Sequence, residues 1–137
     1  MKQLIIASVF LFSTIVYAGA APTSLREVMA VSAQHFSAIA RSINAPEQNA
    51  ESAMNASGIR IAFVTAFQFE PDILRNAPES ERPALLRLYQ KLVAKTVALS
   101  AELEDAFIAN DNTKAKTLLA DLARVRQEGH TVFDTAE

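Results

Sequence analysis

The sequence predicts an all-α protein, folded as an antiparallel up-down-up-down four-helix bundle. After the first 20 residues, apolar side chains recur at spacings of three and four, which is the period of a helix with one buried face. Only three glycines and five prolines interrupt the 137 residues, and no strand-like alternation competes with the helical pattern. Four amphipathic segments joined mostly by short turns favour such a bundle, which would form one domain over residues 21–137.

Residues 1–20 are predicted to be a secretory signal peptide. Lys2 precedes an apolar run from Leu4 to Tyr17, and small residues follow it. The run is short for a membrane-spanning helix, which needs about 20 apolar residues, although an uncleaved membrane anchor is the alternative. The motifs V-Y-A and A-G-A predict cleavage near residues 18–21 and export of the domain to the periplasm.

The first helix is predicted to begin after Ser24, which can cap it, and Glu27 can complete a capping box. Residues 44–46 (N-A-P) end this helix. The second helix begins at Pro46 or Glu47, since proline is tolerated in the first turn, and Pro71 ends it. The apolar stripes are Leu25, Val28, Met29, Ser32, Phe36, Ile39 and Ile43 for the first helix, and Ala50, Met54, Ile61, Val64 and Phe67 for the second.

Residues 71–82 form the one long connection. Pro83 then begins the third helix, and residues 110–112 (N-D-N) separate it from the fourth. The stripe of the third helix is Leu85, Leu88, Tyr89, Leu92, Thr96, Leu99, Leu103 and Phe107. The stripe of the fourth is Ala115, Leu118, Leu122, Val125, Gly129 and Val132, with Leu119, Arg126, His130 and Phe133 beside it.

Composition excludes several classes of function. The chain has 13 Lys and Arg residues against 15 Asp and Glu, whereas binding to nucleic acid would require a basic face. With no cysteine, the exported domain must be stable by packing alone. Di-iron bundles need Glu-x-x-His motifs on facing helices, and none is present. No nucleophile, base and orienting group can be combined, so the protein is not expected to be an enzyme.

Two candidate metal ligands are predicted to lie at one end of the bundle. Met29 is five residues after Ser24, and His130 is seven residues before Glu137. At 1.5 Å per residue, both lie on the order of 10 Å from the same end. Because the first and fourth helices are neighbours, the thioether and the imidazole can face each other across a gap. That gap would suit a flat, apolar, metal-containing ligand. Its expected walls are Phe63 or Phe67, Leu85, Leu88 and Tyr89.

The chain resembles the soluble cytochrome b562 family over about residues 24–134. The motifs L-R-E-V-M (Leu25–Met29) and R-Q-E-G-H (Arg126–His130) carry this resemblance. Members of the family are periplasmic four-helix bundles that hold one non-covalent haem b between a methionine and a histidine. The resemblance implies that Met29 and His130 are the axial iron ligands and that Arg126 pairs with a haem propionate.

The resemblance also implies a function, which is one-electron transfer to or from an unidentified redox partner protein. Two filled axial positions would leave no open site for a substrate, and the sulfur ligand would favour ferrous iron. Covalent attachment of the c type is excluded, because Arg126 and Gly129 stand where the C-x-x-C-H motif has its cysteines. The protein is expected to be a monomer, without membrane or nucleic-acid partners after signal cleavage.

Two other functions remain open. One is a haem-free helical bundle that acts as an interaction or stress protein, with Met29 and His130 as ordinary residues. The other is a five-coordinate, gas-binding haem protein in which Met29 does not bind the iron. The colour of the purified protein distinguishes the first from a cytochrome, and the spin state of the iron distinguishes the second.

Four further residues bear on the site. His35 is the rival ligand on the first helix, but six positions from Met29 turn it about 240° around the axis, so it is expected to be solvated. Met54 is expected in the core. Gly129 would leave room beside a porphyrin, and Ser32 occupies a place where a larger apolar residue is expected.

Overall fold

The computed structural model describes residues 20–133, which form five α-helices and one short 3-10 helix. They are α1 (Leu25–Ser42), the 3-10 turn (Pro46–Gln48), α2 (Asn49–Ala66), α3 (Asp72–Asn76), α4 (Arg82–Ile108) and α5 (Asn112–Phe133). The all-α prediction is confirmed for this range. Residues 1–19, which hold most of the predicted signal peptide, and residues 134–137 lie outside the described residues. Within residues 20–133, no helix has the length and apolar character needed to cross a membrane.

Helix α1 begins where its capping residues predict. The Ser24 hydroxyl accepts a hydrogen bond from the Glu27 N–H at 3.2 Å, which confirms Ser24 as the N-cap. The Glu27 carboxylate reaches back one residue further than a capping box requires, and it accepts from the Thr23 N–H at 2.6 Å and from its hydroxyl at 2.9 Å. Both bonds lower the pKa of Glu27, and the bond from the Thr23 backbone N–H has the larger effect.

The turn between α4 and α5 is held by backbone hydrogen bonds. Asn110 adopts a left-handed conformation with φ of 55°, which asparagine tolerates better than most residues. The Asp111 N–H donates to the Ala106 carbonyl at 2.8 Å, and the Asn110 N–H donates to the Phe107 carbonyl at 3.0 Å. These two bonds form a Schellman motif, so the N-D-N sequence ends α4 as predicted.

Three pairs of helices pack closely: α1 with α2, α2 with α4, and α4 with α5. Each pair runs antiparallel. Helix α1 contacts α2 through Ser42 with Ser52 and through His35 with Asn55. Helix α2 contacts α4 through Arg60 with Glu104 and through Ala66 with Tyr89. Helix α4 contacts α5 through the rings of Tyr89 and Phe133. Helices α1 and α5 lack a comparably close approach of their backbones.

The core consists of two clusters along the helices. The closed-end cluster, near the turns that join α1 to α2 and α4 to α5, contains Ile39, Ala53, Ala56, Ile59, Leu103, Ala106, Phe107, Ala115, Leu118 and Leu122. The cavity-end cluster, where α1 and α4 begin and α2 and α5 end, contains Val28, Ala62, Ala66, Tyr89 and Val93. We call these two ends of the molecule the closed end and the cavity end.

Helix α2 is rotated relative to its predicted stripe. The prediction that Met54 is a core residue is wrong, because its side chain is 41 % exposed. The other large apolar residues of that stripe also face outward: Ile61, Val64 and Phe67. Small residues occupy the buried face instead, among them Ala53, Ala56, Ala62 and Ala66. Short side chains let α2 approach both α1 and α4, and that close packing overrides the burial of larger residues elsewhere on the helix.

The connection between α2 and α4 contains α3, a helix that the apolar spacing did not predict. Leu74 is its one buried residue, which is too little to produce a periodic signal. Arg82, the first residue of α4, holds the connection in place, because its guanidinium donates to the carbonyls of Ala77 at 2.9 Å and Arg75 at 3.2 Å. Residues 68–72, earlier in this connection, help to line the cavity described below.

Candidate functional site

A cavity of about 1230 Å³ opens at the cavity end, between the faces of α1 and α5 that do not pack closely. Its volume is somewhat above the range of about 300–1,000 Å³ that is usual for small-molecule sites. All four long helices and the connection after α2 contribute to its wall. The residues that the sequence singled out and that line it are Met29, Ser32, Phe63, Tyr89, Arg126, Gly129 and His130.

Met29 on α1 and His130 on α5 both lie in the wall of this one cavity. Met29 is half-buried on α1, directly after the fully buried Val28. His130 is half-buried on α5, three residues before Phe133, which packs against the same cavity-end cluster as Val28. Their predicted position at the same end of the molecule is therefore confirmed. That they bind iron stays a prediction.

Gly129 leaves space in the α5 wall. A Cβ atom placed on it would meet no heavy atom of the described residues within 4 Å, apart from its own helix backbone and chain neighbours. Its backbone is helical, so no special conformation requires glycine there. The residue thus adds open volume directly beside His130, in agreement with the prediction that it leaves room for a ligand.

Arg126 lies one turn before His130, where the sequence placed it. Its side chain is exposed, and the guanidinium carbon lies 5.9 Å from the centre of the Phe36 ring on α1. This is a cation–π distance, so the pair bridges α1 and α5 on the closed-end side of Met29. The expected pairing of Arg126 with a propionate stays a prediction. A second arginine of the lining, Arg26, was not singled out from the sequence.

The predicted walls are partly correct. Phe63 and Tyr89 line the cavity, whereas Phe67 is 48 % exposed and, like Leu85 and Leu88, does not. The same rotation of α2 that exposes Phe67 turns Phe63 inward. The residues of α4 that line the cavity are Tyr89, Leu92, Val93 and Thr96. This face lies one residue further round the helix than the face of Leu85 and Leu88. Phe69 and Pro71 of the connection also line the cavity, and no periodic pattern in the sequence could have assigned them.

Tyr89 ties the wall to the helix beside it. Its hydroxyl donates to the Ala66 carbonyl at the end of α2, at 2.7 Å. Its ring meets that of Phe133 edge to face, with centroids 5.7 Å apart. Burial raises the pKa of Tyr89 to about 12, so the phenol is neutral at physiological pH.

His35 does not belong to the site, and its predicted solvation is wrong. The ring is half-buried between α1 and α2, where Nδ1 lies 2.9 Å from Oδ1 of Asn55. It packs over Gly58, where a Cβ would come within 2.6 Å of the ring carbon Cε1. Glycine at position 58 therefore makes the space that His35 fills. His130 is the histidine that reaches the cavity.

Ser32 is the unusual polar residue of the lining. It is 7 % exposed, and its hydroxyl is a buried oxygen with no hydrogen-bond partner among residues 20–133. The sequence indicated this position only because a larger apolar residue was expected there.

Comparison of the chain with models of protein families, with curated proteins and with solved structures gives no match.

Proposed function

We propose that this protein is a b-type cytochrome that holds one non-covalent haem between Met29 and His130 and transfers single electrons. The observation that carries the proposal is the convergence of these two side chains on one large cavity between α1 and α5. In this proposal α1, α2, α4 and α5 are the four helices of an up-down-up-down bundle, like that of the cytochrome b562 family, and α3 is an addition to its long connection.

The cavity fits the chemistry of such a group. A porphyrin needs a wide apolar space, and the lining includes Phe36, Phe63, Leu92 and Leu122. Its iron would take one imidazole and one thioether, and His130 and Met29 both line the cavity. Its propionates need cations near the surface, and Arg126 and Arg26 belong to the lining and are exposed.

The chain would support electron transfer mainly by keeping this geometry constant. When bound, the haem iron supplies the one-electron change between its ferric and ferrous states. The closed-end cluster packs α1 and α5, which carry the two ligands, against α2 and α4, and the Tyr89 ring also contacts Phe133 of α5. The apolar part of the wall would contact the flat faces of the porphyrin. The thioether of Met29 would favour the ferrous state and raise the reduction potential.

The remaining parts of the proposal follow from the sequence. Retention of haem would be non-covalent, since the chain has no cysteine. Export by the predicted signal peptide would place the monomeric protein in the periplasm. There it would exchange electrons with a redox partner protein and would not catalyse a reaction of its own.

Visible spectra of the oxidised and the reduced protein, purified from the periplasm, test this proposal. We expect a red protein with the spectrum of low-spin, six-coordinate haem in both states. Met29→Ala should keep some haem but become high-spin with a lower potential, because the thioether is the weaker of the two ligands. A colourless protein that takes up no added haem would refute the proposal, and a high-spin spectrum of the parent protein would refute the role of Met29.

One observation favours a second candidate, a haem-free interaction protein. Met54, Ile61, Val64 and Phe67 of α2 are each at least 41 % exposed, and exposed apolar groups often mediate contacts between proteins. Substituting Ile61 and Val64 by Lys separates the two candidates. A cytochrome would keep its haem spectrum, whereas an interaction protein would show no haem and would lose its binding partner.

A further inference from the structure

Two residues of the cavity lining have buried hydroxyl groups. Ser32 on α1 and Thr96 on α4 are each 7 % exposed, and both line the cavity. Ser32 is four residues after Val28, Thr96 is three residues after Val93, and these two valines belong to the same cavity-end cluster. Since α1 and α4 both begin at the cavity end, the two hydroxyls lie about one turn further inward, above the closed-end cluster.

The two hydroxyls differ in their hydrogen bonds. The Thr96 hydroxyl donates to the Leu92 carbonyl at 3.0 Å and keeps lone pairs that can accept. Ser32 Oγ has no partner among the described residues, although it is buried. Burying a hydroxyl without a hydrogen bond costs free energy, whereas alanine at this position would avoid that cost. The pair therefore combines an unused donor with an available acceptor.

We propose that Ser32 and Thr96 bind a small molecule that both donates and accepts hydrogen bonds, and that this molecule is water. The Ser32 hydroxyl donates to the water, and the water donates to Thr96 Oγ1. Buried waters in proteins typically make two to four hydrogen bonds, to groups that would otherwise lack partners. The site requires only protein groups, so it does not depend on whether haem binds in the same cavity.

The position of this water gives it a role if the proposed function is correct. Ser32 follows Met29 by three residues, so the two side chains lie on the same face of α1, one turn apart. The bound water is then a polar group on the Met29 side of the haem. Removing it makes the surroundings of the iron less polar, which favours the ferrous state. On the proposed function, Ser32→Ala therefore raises the reduction potential.

A high-resolution crystal structure of the purified protein, without haem, tests the site directly. We expect an ordered water within about 3 Å of both Ser32 Oγ and Thr96 Oγ1. Thermal unfolding of Ser32→Ala provides the second readout. Loss of a satisfied hydrogen bond lowers the melting temperature, whereas removal of an unpaired hydroxyl raises it.

Ser100→Ala is the matched control. Ser100 is fully buried on the same helix as Thr96, outside the cavity, and its hydroxyl donates to the Thr96 carbonyl at 2.7 Å. This variant should lose stability to a similar extent as Ser32→Ala but keep the water. The proposal is overturned if no ordered molecule lies between the two hydroxyls, or if Ser32→Ala melts at the parent temperature or above it. Both readouts are made on the haem-free protein, so failure of the water site is distinguished from failure of the haem proposal.

Discussion

The closed end and the cavity end of this molecule differ in how completely their side chains are packed. At the closed end, Ile39, Leu103 and Phe107 are at most 1 % exposed, and they belong to one continuous cluster. At the cavity end, Met29 and His130 are only half-buried, around a cavity of about 1230 Å³. The same helices therefore run from a dense core into an open one.

The difference indicates that the closed end provides stability and that the cavity end provides space for a ligand. The closed end has side-chain hydrogen bonds between turns, as between Asn49 and both Asn110 and Asn112, and these hold the helices in register. Because the closed end is densely packed, the protein can fold even though the cavity end contains a large cavity. On this account, most of the stability of the ligand-free protein comes from the closed end, and ligand binding adds stability at the cavity end.

The largest effect of a single substitution is expected from Phe107→Ala. The ring is 1 % exposed at the closed end, so its removal should lower the free energy of unfolding by about 3–5 kcal/mol. Phe133→Ala, at the half-buried cavity end, should cost about 1 kcal/mol, mainly through its edge-to-face contact with Tyr89. Urea unfolding of the haem-free protein measures both. Equal losses would contradict the division of stability between the ends.

If the protein binds haem as proposed, removal of the haem should produce a similarly large effect, but at the opposite end. A ligand that binds only the folded state adds about 4 kcal/mol when its free concentration is a thousand times its dissociation constant. Hydrogen exchange followed by mass spectrometry should show faster local exchange in haem-free protein near residues 25–32 and 126–133. Identical melting curves with and without haem would mean that the haem is adventitious.

Asn49→Ala should have an intermediate effect. Its buried amide makes three hydrogen bonds to Asn110 and Asn112, so we expect a loss of about 1–3 kcal/mol in the free energy of unfolding. Asn76→Ala, at an exposed position of α3, is the control and should change stability by less than about 0.5 kcal/mol. If the two variants unfold alike, the asparagine contacts do not stabilise the closed end.

A smaller effect is expected from alkaline pH, through Tyr89. Its pKa is raised from 10.0 to about 12 by burial, so its contribution to stability is complete below pH 10 and is lost as the pH rises towards 12. Tyr89→Phe should remove this part of the pH dependence. The free energy of unfolding, measured from pH 9 to 12 for both proteins, checks the assignment, and parallel curves would contradict it.

Local signals in the sequence predicted the helices well where their ends depend on short-range chemistry. Ser24 caps α1 through a bond to a residue three positions away, and Asn110 and Asp111 form the turn before α5. The shared position of Met29 and His130 followed from counting residues along antiparallel helices. These features depend on neighbours in the chain or on helix length, so a single sequence is sufficient to infer them.

Features that depend on a distant partner could not be inferred in this way. Neither the rotation of α2 nor the inward position of Phe63 follows from its own periodicity, since an alanine face packs closely only when a partner helix approaches it. His35 lies in the interface because Gly58, on another helix, leaves room for its ring. The burial of the Ser32 hydroxyl without a partner among the described residues likewise does not follow from the sequence of α1 alone.

Haem titration of the two single-histidine variants tests the central claim most directly. His130→Ala removes the imidazole from the cavity wall, whereas His35→Ala removes the other histidine from the α1–α2 interface. If haem binds between α1 and α5, His130→Ala should lose most haem binding while remaining folded by circular dichroism. His35→Ala should bind haem with the spectrum of the parent protein. Equal haem content and identical spectra in both variants would contradict the claim that His130 holds the ligand.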